Sequence, residues 1–130
     1  MSGHVLRTGD RVIAEYKSGQ YIAEISELQP EKATVSVLAV RKHPLQGDLH
    51  RPYQADVGLF HQRKALAFRE KVVLPLAALQ PYEGAVPDYV ESLRQAVQRE
   101  KEALQQQQGA WAERALAELR KLEAEYFPRG

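Results

Sequence analysis

Polar and apolar positions alternate along the first third of the chain. In Arg11-Val12-Ile13-Ala14-Glu15-Tyr16, the residues Val12, Ala14 and Tyr16 share one face of a period-2 strand. Ser18-Gly19 follows as a turn, with the glycine available for positive φ. Tyr21 to Ser26 is a second strand, Gln29-Pro30-Glu31-Lys32 a second turn, and Ala33 to Val40 a third strand with Ala33, Val35, Val37 and Ala39 in alternation. The stretch 43–57 contains Pro44, Pro52 and Gly47 without a sustained period and reads as a long loop, a class that tends to be functional or mobile. Leu59 to Phe68 is assigned to a fourth strand. From Val72 to Tyr82 the pattern gives a strand end, one tight helical turn and a short closing strand.

The periodicity changes at Pro87. Asp88, three residues before Glu91, forms a capping-box arrangement. Val90, Leu93, Val97 and Leu104 then fall on one helical stripe, with Arg94, Gln98, Glu102 and Gln106 elsewhere around the helix. Gln105 to Gln108 and Gly109 end that helix. A second runs from about Ala110 to Tyr126, with Trp111, Ala115, Leu116, Leu119 and Leu122 as its apolar face and Pro128 as its stop. The expected fold is α+β and mainly β: an SH3-like five-stranded barrel over residues 1–87, followed by a C-terminal helical hairpin over 88–130. The hairpin must lay its stripe on the barrel, on itself or on a second copy, so a homodimer through these helices is one arrangement the pattern allows.

Composition narrows the function classes. At 130 residues there is room for one compact domain or a small one with an appendage. A formal charge of +1 gives no whole-molecule attraction to nucleic acid or to an acidic membrane. Cysteine is absent, which excludes disulfides, thiolate nucleophiles and sulfur-bound metals. No apolar run has the length of a membrane span, and the start MSGHVLRTGDRV lacks the apolar middle of a secretory signal, so the expectation is a cytoplasmic protein.

Catalytic chemistry has few candidates. His43, Asp48, His50 and His61 carry donors suited to a divalent ion, but their spacing matches no compact ligand pair, and the expectation is no metal. His61 with Ser92 makes a nucleophile–base pair on paper only, since no glycine-flanked serine elbow is present. The glycines never cluster into a phosphate loop. The reading is therefore non-enzymatic, without cofactor or small-molecule substrate. The more informative segment is 41–71, where Arg41, Lys42, Arg51, Arg63, Lys64, Arg69 and Lys71 face only Asp48, Asp56 and Glu70, a local +4. Tyr53, Phe60 and Phe68 lie among these cations, a pattern that suits either an acidic protein surface or, as the alternative, a nucleic-acid backbone.

GDRVIAEYKSGQYIAEI, VLAVRKHPLQGDLHRP, ADVGLFHQRKALAFREK and LQPYEGAVPDYVESL together resemble the kinase-associated lipoprotein B family of spore-forming Bacillus-type bacteria. The resemblance runs from about Gly9 to Leu93, and its most specific piece is Lys42-His43-Pro44, then Gln46-Gly47-Asp48-Leu49-His50, then Phe60-His61-Gln62-Arg63. It implies an SH3-like barrel followed by helices and a non-catalytic accessory role in the sensor histidine kinase B branch of the phosphorelay that starts sporulation. The partner implied is that kinase or another phosphorelay protein. This chain has neither cysteine nor signal peptide, so the lipid anchor in the family's name is not expected, and any membrane association would run through the kinase. The expected partner-binding residues are Lys42, His43, Gln46, Asp48, His50, Tyr53, His61, Arg63, Lys64 and Arg69.

Overall fold

The computed structural model describes residues 5–47 and 60–128. It contains a five-stranded antiparallel sheet and two C-terminal helices, the mainly-β α+β arrangement expected. β1 (Arg11–Tyr16), β2 (Gly19–Leu28) and β3 (Lys32–Lys42) form a meander, and β4 (Lys71–Pro75) adds to β3. A 3-10 turn (Leu76–Ala78) then returns the chain so that β5 (Leu79–Pro81) pairs with β1, giving the order β4-β3-β2-β1-β5.

The sheet has one face that it covers itself. Val12 and Ala14 of β1, Ala23 and Ile25 of β2, Ala33 and Val35 of β3, Leu74 of β4 and Leu79 of β5 form a buried cluster to which no helix contributes. A single sheet buries one face against itself only by curling. The register shifts between β2 and β3, at Gln20/Tyr21, Ile22/Ala23 and Ile25/Glu27, supply the local bending that curling requires.

Two details depart from the expected layout. Phe60 to Ala67 is not a strand, and the fourth strand begins only at Lys71. The turn joining β1 and β2 is Lys17-Ser18, with φ of 46° and 69°, whereas Gly19 already belongs to β2 opposite Tyr16. Gly19 is needed for room rather than for its φ: a Cβ there would lie 2.7 Å from the Tyr21 hydroxyl.

α1 (Tyr89–Gln106) starts where Asp88 accepts the Glu91 backbone N–H at 3.0 Å. The other half of the capping box is not used, since the Glu91 carboxylate accepts from Gln95 instead. α2 (Ala110–Tyr126) follows Gly109, whose φ of 114° only glycine adopts without strain. The helical stripes pack inward as one cluster. Leu93, Val97 and Leu104 of α1 and Trp111, Ala115 and Leu119 of α2 meet Tyr21, Val37 and Val40 of the sheet and Leu66 of the segment before β4. The stripe that sequence left open for a second copy is thus covered within the chain, except Val90, which stays exposed. This cluster spans both sides of Pro87, so the 1–87 and 88–130 parts share one core.

Candidate functional site

Three stretches converge beside α2: the Lys17-Ser18 turn, residues 42–47 after β3, and residues 60–70 before β4. They are joined by polar side chains rather than by strand pairing. Gln46, buried at 4% exposure, accepts the Arg63 N–H through Oε1 at 2.9 Å and donates from Nε2 to the carbonyls of Arg63 at 3.0 Å and Pro44 at 3.2 Å. The Gly47 N–H donates to the His61 carbonyl at 2.8 Å, and Arg63 Nε to the Gly47 carbonyl at 3.2 Å. Tyr126, at the end of α2, accepts the Ala65 N–H at 2.9 Å; Tyr21 accepts the Leu66 N–H at 3.2 Å. Tyr89 of α1 donates to the Leu66 carbonyl. Residues 61–66 therefore obtain from side chains much of the hydrogen bonding that a strand obtains from a neighbour, which buried backbone groups require.

His43 is the innermost member of this junction, with no exposed surface. One ring nitrogen, Nδ1, lies 2.9 Å from the Pro44 carbonyl and must carry the proton; the other, Nε2, lies 2.9 Å from the Tyr126 hydroxyl and accepts from it. Burial disfavours the imidazolium strongly enough to lower the pKa to about 4, outweighing the opposing pull of the Pro44 carbonyl. Burial likewise raises the Tyr126 phenol, and raises that of Tyr89 to about 12, so both hydroxyls stay protonated. Trp111 closes the junction from α2 with its indole N–H on the Gln46 carbonyl at 3.3 Å. Gly47, at φ 107°, sits under Phe60 and Trp111: a Cβ there would lie 3.2 Å from the Phe60 ring and 3.3 Å from the indole nitrogen.

The expected binding residues thus separate into two groups. His43 and Gln46 are buried and hold the fold together, which corrects their assignment to a contact surface: a partner cannot reach side chains whose polar atoms are already engaged inside the protein. Lys42, His61, Lys64 and Arg69 are exposed and Arg63 is half-buried. Asp48, His50 and Tyr53 lie outside the described residues.

The cations are not one continuous patch. Lys64 pairs with Glu125 of α2 at 2.9 Å and Arg69 with Glu24 of β2 at 3.6 Å, both exposed pairs of small energetic weight. Lys42 acts on Glu100 of α1, where burial raises the carboxyl pKa and the lysine charge opposes that rise. Arg41 faces a separate open groove of about 560 Å³ with Ile22, Tyr82, Gln95 and Arg99. Among the described residues, the aromatic side chains do not alternate with these charges on one surface. Phe60 is half-buried beneath the Arg114 guanidinium, 4.4 Å from its ring centroid, and Phe68, 56% exposed, leans on Tyr89.

Among the described residues, the reactive combinations considered from sequence are not brought together. The Ser92 hydroxyl donates to the Tyr89 carbonyl at 2.7 Å and accepts the Val40 N–H at 2.9 Å, and the groove it borders is lined by no histidine or carboxylate. Both nitrogens of His43 are occupied, so it is not available to a metal. Among the described residues no three metal-ligating side chains come together. No helix among them is long and apolar enough to cross a membrane.

Sequence reasoning missed Tyr21, Trp111 and Tyr126 as builders of this region, because each is contributed by a distant element.

Comparison with known proteins gives a consistent result. The family model described as kinase associated protein B matches residues 16–127. Kinase-associated lipoprotein B of Bacillus subtilis (strain 168) is 49% identical over 122 residues, covering 94% of this chain and 95% of that protein. The crystal structure of kinase-associated protein B from Bacillus cereus superposes with a TM-score of 0.80 at 34% identity, covering 94% of this chain and 98% of that one.

Proposed function

Because the chain belongs to the kinase-associated protein B family, we propose that it is a non-catalytic accessory protein that docks on the cytoplasmic portion of a sensor histidine kinase, in the sporulation kinase B branch of the phosphorelay. The observation that carries this reading is the division of labour at the junction. Buried His43 and Gln46 fix the backbone of residues 43–47 and 61–66; half-buried Arg63 and exposed Lys64 project from that fixed backbone, and exposed Lys42 and Arg69 flank it. A rigid surface of this kind loses little conformational freedom on association, and its charges favour an acidic patch on the partner. In this reading any contact with the membrane is indirect, through the kinase.

The test is the affinity of the intact chain for the cytoplasmic portion of that kinase, compared with the variant carrying Arg63→Glu and Lys64→Glu. The two reversals remove one bond to the Gly47 carbonyl and one exposed ion pair, together about 1 kcal/mol, so the variant still folds. Affinity is expected to fall by roughly tenfold or more, because two like charges then face the partner's acidic surface. Unaltered affinity with an unaltered melting profile would remove this surface from the reading.

A further inference from the structure

Between the Lys17-Ser18 turn and residues 62–64 lies a cleft of about 190 Å³ lined by Lys17, Gln62, Arg63, Lys64, Tyr16, Tyr21 and Pro44. No carboxylate lines it. Lys64 has Glu125 beside it, but among the described residues Lys17 and Arg63 have no acidic partner. Two or three like charges brought to one concave site repel each other, and an anion placed between them relieves that repulsion.

Three further observations bear on a ligand. Lys17 and Ser18 both hold left-handed backbone, at φ 46° and 69°, a conformation that residues with a side chain adopt only at a cost. This strained turn is held in place because Ser18 Oγ donates to the Lys17 carbonyl and accepts the Leu45 N–H at 2.9 Å, tying the turn to the residue after Pro44. The Tyr21 hydroxyl accepts the Leu66 N–H, and among the described residues its own proton has no acceptor. The volume, below the roughly 300 Å³ at which small-molecule pockets begin, leaves room for one compact group and not for a nucleotide.

We propose that this cleft binds a single oxyanion, a phosphoryl or carboxylate group at the end of a partner's side chain, through Lys17, Arg63 and Lys64. Charge-assisted bonds from two ammonium groups and a guanidinium suit either group. The inference rests on the docking reading for the identity of the partner. The experiment below uses no kinase, so the cleft and the docking reading can fail separately.

The experiment is a titration of the isotope-labelled full chain with sodium phosphate, and separately with sodium acetate, at constant ionic strength, following backbone amide resonances. Saturable shifts confined to residues 16–18 and 62–64 are expected with at least one of the two anions, and the arm that saturates tells which group the cleft takes. Lys17→Gln, on an exposed residue outside the buried junction, is expected to weaken that binding about tenfold while the remaining resonances keep their positions. Shifts that are linear and spread over the surface with both anions, or saturable shifts that Lys17→Gln leaves unchanged, would overturn the proposal.

Discussion

Lowering the pH from 7 to 4 is expected to remove about 3 kcal/mol of folding stability through one side chain, His43. The folded protein holds this imidazole neutral, with no exposed surface, one nitrogen donating to the Pro44 carbonyl and the other accepting from Tyr126. Its pKa in the fold is about 4, against 6.5 for the free side chain. A histidine whose folded pKa is depressed binds its proton first in the unfolded chain. Its contribution is therefore complete above about pH 6.5 and is lost progressively as the pH falls toward 4. At 1.36 kcal/mol per pH unit, the interval between 6.5 and about 4 sets a ceiling slightly above 3 kcal/mol, most of which is lost by pH 4. Denaturant unfolding at several pH values checks it, with His43→Gln as comparison. The variant is less stable at neutral pH, but its stability declines less between pH 6.5 and 4. Parallel profiles for the two proteins would show that this histidine is not the acid-sensitive group.

The second large effect concerns the shared core. Leu119 of α2 is fully buried in the cluster that also contains Val37, Val40 and Tyr21 of the sheet. Leu119→Ala is expected to lower stability by about 2–5 kcal/mol, the usual range for a truncated core leucine. The form of the transition matters as much as its midpoint. Trp111 fluorescence reports on the helix junction and far-ultraviolet circular dichroism on the whole chain, and both should move together to lower denaturant in the variant. If residues 1–87 and 88–130 were independent units, the fluorescence transition would shift alone and the sheet would melt where it did before.

Much of this architecture was legible from residue patterns. Val12, Ala14 and Tyr16 alternate because one side of β1 is buried, and period 2 shows that directly; in β3 the alternation marks Ala33 and Val35 on the self-covered face, whereas Val37 and Val40 belong to the helix-covered cluster. The helical stripes were legible for the same reason at period 3.6. Phe60 to Ala67 was not, because what holds it is the Gln46 amide and the hydroxyls of Tyr21, Tyr89 and Tyr126, contributed from far along the chain. A side-chain ladder of that kind leaves no period. The segment's apolar residues, Phe60, Ala65 and Leu66, therefore resemble a strand while serving as anchors.

The candidate site was half legible. The excess of cations in 41–71 follows from counting, but the count does not show that Glu125 and Glu24 reach Lys64 and Arg69, or that Arg41 turns toward a different groove. Histidine and glutamine occur both on surfaces and, when hydrogen-bonded, in buried networks, so nothing in Lys42-His43-Pro44 and Gln46-Gly47 separated contact residues from scaffold. Burial makes that separation. It places in the interior two residues of the motif on which the family resemblance rested most specifically, His43 and Gln46, as the pieces that set the shape of the surface around them.

The central claim is that the partner meets the surface carried by residues 16–18, 42 and 61–69. Amide hydrogen exchange of the intact chain, with and without the cytoplasmic portion of the kinase, tests it most directly. Slowed exchange is expected on complex formation in those stretches, with unchanged exchange at the opposite turn, residues 29–31, and at residues 76–84. Protection centred on residues 29–31 or 76–84, with residues 61–69 exchanging as in the free protein, would contradict it.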